Sequence, residues 1–222
     1  MNPIRTALFI SLLAFGPAVA AQENVSKVNG SISADAGSTY GDLDTVNGSI
    51  RIGEGAVVAD ADTVNGSITV GDRARTGSLE TVNGSIRIGQ SVQIGGGVDT
   101  VNGAIFVDRG STISGDVETV NGSIGLVATQ VSGDVETVRG NITVGVDSHV
   151  SGGVRVQKST GFFNNDRKKP ARIVIGPNAV VEGSLVFERP VVLYVHDSAR
   201  IGTVTGATPI AFSSPTAPNS EE

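Results

Sequence analysis

Thr45-Val46-Asn47-Gly48-Ser49-Ile50 reads TVNGSI, and the same six letters return at residues 63–68, 81–86 and 119–124. Variants stand at residues 27–32 (KVNGSI), 100–105 (TVNGAI) and 137–142 (TVRGNI). The motif valines are Val28, Val46, Val64, Val82, Val101, Val120 and Val138, at steps of 18, 18, 18, 19, 19 and 18 residues. A strict period of this kind marks a solenoid, in which one small unit stacks on copies of itself.

The period divides again. Val46, Ile52, Val58, Val64 and Val70 lie six apart, and Val82, Ile88 and Ile94 keep that spacing. Each turn is therefore expected to have three short sides, each with one inward aliphatic residue, the motif valine among them. Ser49-Ile50-Arg51-Ile52 and Ser85-Ile86-Arg87-Ile88 alternate with the period of a strand, with the isoleucines in and the arginine out. Asn-Gly is expected to form a corner, because both residues tolerate positive φ. It is also a hairpin signal, but a hairpin needs a second strand of matching length running back, and the strict period supplies none. No 3.6-residue pattern argues for helices. The register survives past the last motif: residues 173–181 align with 50–58, and a final turn runs through Val191, Leu193, Val195, Ala199, Ile201 and Val204. The expected fold is all-β, a single-stranded parallel β-helix of about nine triangular turns of 18–19 residues, roughly 40 Å long at the spacing of stacked strands. Asn29, Asn47, Asn65, Asn83, Asn102 and Asn121 are expected to stack as a structural ladder.

Composition agrees. Aromatics are 4% of 222 residues, Trp is absent and Gly numbers 30, so the core must use small aliphatic side chains in a regular array. The absence of Cys excludes disulfides, thiol catalysis and Cys-ligated metals. Residues 1–20 read as a signal peptide: Arg5, an apolar run from Ala7 to Ala14 broken by Ser11, then Gly16-Pro17 and the small-x-small site Ala18-Val19-Ala20. The run is shorter than the roughly 20 residues of a membrane span. The expected product is periplasmic or secreted, with no transmembrane segment after cleavage. The solenoid is assigned to 22–206, with an inserted loop at 157–172. The tail at 207–222, with Pro209, Pro215 and Pro218, is expected to be disordered.

The turns Ile113-Ser-Gly-Asp-Val117, Val131-Ser-Gly-Asp-Val135 and residues 175–185 (IGPNAVVEGSL) resemble the bactofilins, bacterial polymer-forming proteins with a cytoskeletal or envelope role. The chain is also similar to adhesin-type β-helical repeats of secreted bacterial proteins. The resemblance spans roughly residues 28 to 204. It implies a right-handed parallel β-helix and end-to-end assembly without nucleotide. Bactofilins are cytoplasmic, whereas this N-terminus reads as an export signal, so the implied role moves to the envelope.

Three features are candidates for chemistry. The first is an acidic stripe: Asp42 and Asp44, Asp60 and Asp62, Asp116 and Glu118, Asp134 and Glu136, with Glu80 and Asp99 in the same row. Each pair flanks an inward residue, so both carboxylates are expected to point outward. The stripe reads first as a solvated face that keeps the rod soluble, and second as a Ca²⁺ site; no other cofactor is implied. The second is the insertion, whose Lys158, Phe162, Phe163, Arg167, Lys168, Lys169 and Arg172 would suit an anionic cell-envelope polymer, or would cover part of the solenoid. Net charge −6 and the export signal argue against nucleic acid. The third is the pair His149 and His196, which carry no metal spacing and no nucleophile arrangement. No catalytic residue is assigned. The expected function is an exported, non-enzymatic scaffold, structural, envelope-associated or adhesive, which self-associates through its terminal turns. The alternative is a carbohydrate-active β-helix enzyme.

Overall fold

Alternating side chains and stacked copies generate the architecture directly. The computed structural model describes residues 22–158 and 170–218. Each turn lays one strand in each of three sheets. A five-residue strand such as Leu43–Asn47 lies in sheet 1 and a three-residue strand such as Ile50–Ile52 in sheet 2. Sheet 3 holds two-residue strands such as Arg75–Thr76, continued toward the N-terminus by single bridges at Thr39, Val57 and Arg75. The sheets contain ten, ten and seven strands. Every strand pairs in parallel with its equivalent one turn away, as in Leu43 with Ala61 and Ile50 with Ile68. The result is a parallel β-solenoid of about nine turns, with no helix among the described residues.

The core is a stack of Leu43, Ile50, Ile52, Ala56 and Val58 with their equivalents in other turns, all buried. The motif valine is not part of it. In Leu43–Asn47, Leu43 and Thr45 point in, so Val46 points out. Thr45 is 4% exposed, and Val46, Val64, Val82, Val101 and Val120 are each 40% exposed. The six-residue spacing from Val46 to Ile52 crosses a corner, where the inward phase resets. The expectation of an inward motif valine is thereby corrected.

The remaining letters of TVNGSI tie one turn to the next. The Thr45 hydroxyl donates to Gly30 O at 3.0 Å, and Thr63, Thr81, Thr100 and Thr119 repeat the bond one turn on. Each asparagine amide donates to the preceding one, Asn47 to Asn29 at 3.0 Å and so on to Asn121. The Ser49 hydroxyl accepts the Ser67 N–H at 3.2 Å, and Ser31, Ser67 and Ser85 accept equivalent bonds. The glycine has a different role from the one expected. Of the motif glycines only Gly30 has positive φ. A Cβ at Gly84 would instead overlap the carbonyl of Gly66, so the residue permits close approach of stacked backbones. Left-handed residues stand at the next corner, after the sheet 2 strand: Gly55, Arg73, Ser91, Gly110, Ala128, Asp147 and Asn178.

The pattern breaks at residues 137–142 and does not return, Val156 and Phe187 taking the threonine position in the next turns. Arg139 takes the asparagine position, the ladder stops at Asn121, and the buried Thr137 Oγ1 has no hydrogen-bond partner. The insertion leaves the next turn at the same corner, between Val154–Val156 of sheet 1 and Ala171–Ile175 of sheet 2. Pairing resumes across it, Ile142 with Ile173.

The expectation of disorder from residue 207 is also corrected over residues 207–218, and residues 219–222 lie outside the described residues. Pro209–Phe212 forms the last strand of sheet 2, paired with Val191–His196. Phe212 is buried with Val174 and Tyr194 on the outer side of that sheet. Arg172 lies over the Tyr194 ring at 5.3 Å and donates to the Ala217 and Pro218 carbonyls, which pins the tail. The expected signal peptide lies outside the described residues.

Candidate functional site

The in-register stacking of sheet 1 turns single outward residues into continuous rows. Asp44, Asp62, Glu80, Asp99, Glu118 and Glu136 form one row, each opposite the next. Two residues along each strand, Val46, Val64, Val82, Val101, Val120 and Val138 form the other. Together they line a groove of about 830 Å³ that runs along the rod across the strands. One end carries a hydrogen bond and the other a counter-charge. Ser26 donates to Asp44 at 3.2 Å, and Arg155 reaches Asp134 at 3.3 Å and Glu136 at 3.4 Å. Among the described residues no cation pairs with Asp62, Glu80, Asp99 or Glu118.

That arrangement perturbs the carboxyls. Burial, followed by Glu80, Asp44, Asp60 and Asp42, pushes Asp62 up to about 6. Burial, followed by Glu118, Glu80 and Asp116, does the same to Asp99. Glu118 is raised by burial and then by Glu136, Asp116 and Asp134. Stacked strands hold like charges about 5 Å apart with no counter-charge between them.

The acidic stripe read from the sequence thus divides in two. Asp60, Asp116 and Asp134 sit at the corner before sheet 1 and accept backbone N–H groups of the next turn: Ser78 at 2.6 Å, Asp134 at 2.7 Å and Gly153 at 2.6 Å. Asp42 accepts the Asn24 amide at 3.3 Å. These four fasten turns together, and only the row beginning with Asp44 faces the groove. Among the described residues no three acidic or histidine side chains converge as a metal ion requires.

The other candidates lie elsewhere. Of the basic insertion, Lys158 and Arg172 are described, and Phe162, Phe163, Arg167, Lys168 and Lys169 lie outside the described residues. The Lys158 N–H donates to Glu188, and Arg172 holds the tail. A smaller pocket of about 350 Å³ beside the insertion is lined by Arg139, Arg172 and Arg189, of which only Arg172 was singled out from the sequence. His149 meets Glu182 at 2.8 Å in sheet 3, and His196 meets Ser198 at 2.8 Å on the outer side of sheet 2. Neither lines the groove. No helix among the described residues is long and apolar enough to cross a membrane.

The valine row is what sequence reasoning missed. Its signal was present: alternation counted from Leu43 places Val46 outward. Compared with known proteins, the chain matches no family model, no curated protein and no solved structure.

Proposed function

We propose that this protein is an exported, non-enzymatic scaffold that works by presenting sheet 1 as a rigid adhesive face to envelope or extracellular material. One observation carries the reading. Within TVNGSI the threonine, asparagine, glycine and serine join turns and the isoleucine fills the core, while the valine stays exposed turn after turn. A fold that does not need this residue for stacking nevertheless displays it in a straight row beside a row of charge. Exposed apolar stripes rimmed by polar groups are characteristic of interaction surfaces. The N-terminal sequence supports export to the periplasm or medium, and the bactofilin-like and adhesin-like turns support an envelope role. Half-buried Ile201 and Val204, with exposed Pro209 and Ala211, leave the C-terminal turn open to end-to-end stacking.

The test pairs a stability measurement with a binding one. Val82→Ser with Val101→Ser should move the melting temperature little, because both side chains are already exposed. It should abolish co-sedimentation with purified envelope fractions. Binding that survives the substitution defeats the adhesive reading. Light scattering and negative-stain microscopy over a concentration series examine end-to-end assembly in the same preparation.

A second reading, a carbohydrate-active enzyme, is favoured by the raised carboxyls of Asp62 and Asp99, since a general acid needs such a value. It predicts release of reducing sugar from an envelope polysaccharide, lost in Asp62→Asn and Asp99→Asn.

A further inference from the structure

We infer that copies of this protein associate side to side, the carboxylate and valine groove of one copy receiving the sheet 2 face of another at Arg51, Arg87 and Phe106. The inference rests on the reading of sheet 1 as the working face and names its partner as a second copy of the chain.

The groove states what an occupant needs. It must cover a stripe of valines, of which Val46, Val64, Val82, Val101 and Val120 are each 40% exposed, and bring positive charge to Asp62, Glu80, Asp99 and Glu118. An extra strand cannot add here, because the strands of sheet 1 are already paired to neighbours along the rod. The occupant docks by its side chains.

The same molecule carries such a surface. The outward residues of sheet 2 at successive turns are Ser33, Arg51, Thr69, Arg87, Phe106, Gly125 and Thr143. No carboxylate stands in that row. Arg51 and Arg87 are exposed, and neither pairs with a carboxylate among the described residues. Arg87 lies over the exposed Phe106 ring at 5.6 Å, which makes one flat patch both basic and apolar. Acids stand at the neighbouring corner: Glu54 pairs with Arg73, the Asp72 and Asp108 carboxylates accept backbone N–H groups, and Asp35 follows the first strand of the sheet.

Spacing favours a second copy over an unrelated cation. Both rows repeat at the strand separation of about 4.8 Å, so two rods lying side by side keep a common period along the whole contact. Arg51 and Arg87 are two strands apart, as are Asp62 and Asp99. Arginine suits the pairing, because its planar fork binds carboxylates bidentately while its face stays apolar.

The area sets the strength. Six turns at about 4.8 Å, by a five-residue strand, give roughly 500 Å² per copy. The total of about 1,000 Å² lies at the low end of specific interfaces. Association should therefore be weak, concentration-dependent and sensitive to salt. The two faces are different surfaces of the molecule, so the contact is heterologous and continues into rings or lateral arrays.

Sedimentation velocity on the purified protein provides the test. Two variants are made, one with Glu80→Lys and Glu118→Lys in the groove, the other with Arg51→Glu and Arg87→Glu on sheet 2. The native protein should form larger species as concentration rises, at least tenfold weaker in high salt. Each variant alone should stay monomeric. An equimolar mixture should regain association, because the first variant retains its basic face and the second its groove, and the two reversed faces carry opposite charges as well. The neutral pair Glu80→Gln with Glu118→Gln, measured beside them with thermal melts, separates loss of contact from loss of fold. A native protein that is monomeric throughout, a variant that associates alone as the native does, or a mixture that does not pair overturns the inference. If the mixture fails to pair while Val82→Ser with Val101→Ser still loses envelope binding, side-to-side association falls and the adhesive reading stands.

Discussion

Thr81 and Thr137 occupy the same place in the repeat and differ in one bond. The Thr81 hydroxyl donates to Gly66 O at 2.9 Å, whereas the Thr137 hydroxyl, in a residue 1% exposed, has no partner. Valine matches the shape of threonine without its donor. Thr81→Val should cost about 1 kcal/mol, because it takes a donor from the half-buried Gly66 carbonyl. Thr137→Val should be neutral or stabilising, because it removes a hydroxyl that is already buried unpaired. Urea unfolding of the two variants reads the difference, and equal losses would show that the hydroxyl ladder adds no stability. The left-handed corner allows a second comparison. Ser91 holds φ 57° and Gly55 φ 65°. Ser91→Gly should stabilise by roughly 0.5 kcal/mol, relief of left-handed strain outweighing glycine's entropy, and Gly55→Ala should destabilise by about 1 kcal/mol. Their denaturation midpoints should move in opposite directions.

At the scale of strands and corners, legibility depended on how far the decisive contact lies along the chain. Ile50-Arg51-Ile52 declares its inward face within three letters, and the structure buries both isoleucines. The motif valine was misplaced because a spacing of six was carried through a corner, where the inward phase resets. The motif glycine was attributed to its own torsion, but its reason is the carbonyl one turn below, 18 or 19 residues away. The groove escaped notice with the valine, although its acidic half was legible from the Asp and Glu pairs. The tail looked unstructured because three prolines outweighed Ile210 and Phe212, yet Pro209 begins an edge strand, a place proline tolerates. Phe212 is that strand's buried anchor, packed on Val174 and Tyr194 with the His196 ring edge-on at 5.0 Å. Phe212→Ala should cost about 2 kcal/mol, less than a core phenylalanine because the site lies at the end of the rod. Its melting temperature should fall by roughly 4–8 °C. An unchanged value would mean that the last strand adds nothing to the solenoid.

Over the whole molecule the groove is a place where charge opposes the fold. Asp62 and Asp99 are raised to about 6, which means that the folded state holds protons the unfolded state has released between about pH 4 and 6. Stability from these groups is greatest at the acid end of that window and is lost as pH rises through 6. Both side chains are partly hydrated, so the effect must be discounted for solvent screening, to about 1 kcal/mol for the pair. The melting temperature should then be higher at pH 5 than at pH 7.5 by about 2–4 °C. Added salt should raise it at pH 7.5 and do little at pH 5, because only the ionised ladder repels itself. Asp62→Asn with Asp99→Asn should raise the value at pH 7.5 and flatten the profile. If instead the native protein melts higher at pH 7.5, the row is stabilising as it stands and needs no cationic partner. The expected profile would mean that the fold carries an unfavourable line of charge beside an uncovered line of valines, two costs that one basic, apolar partner face would relieve together.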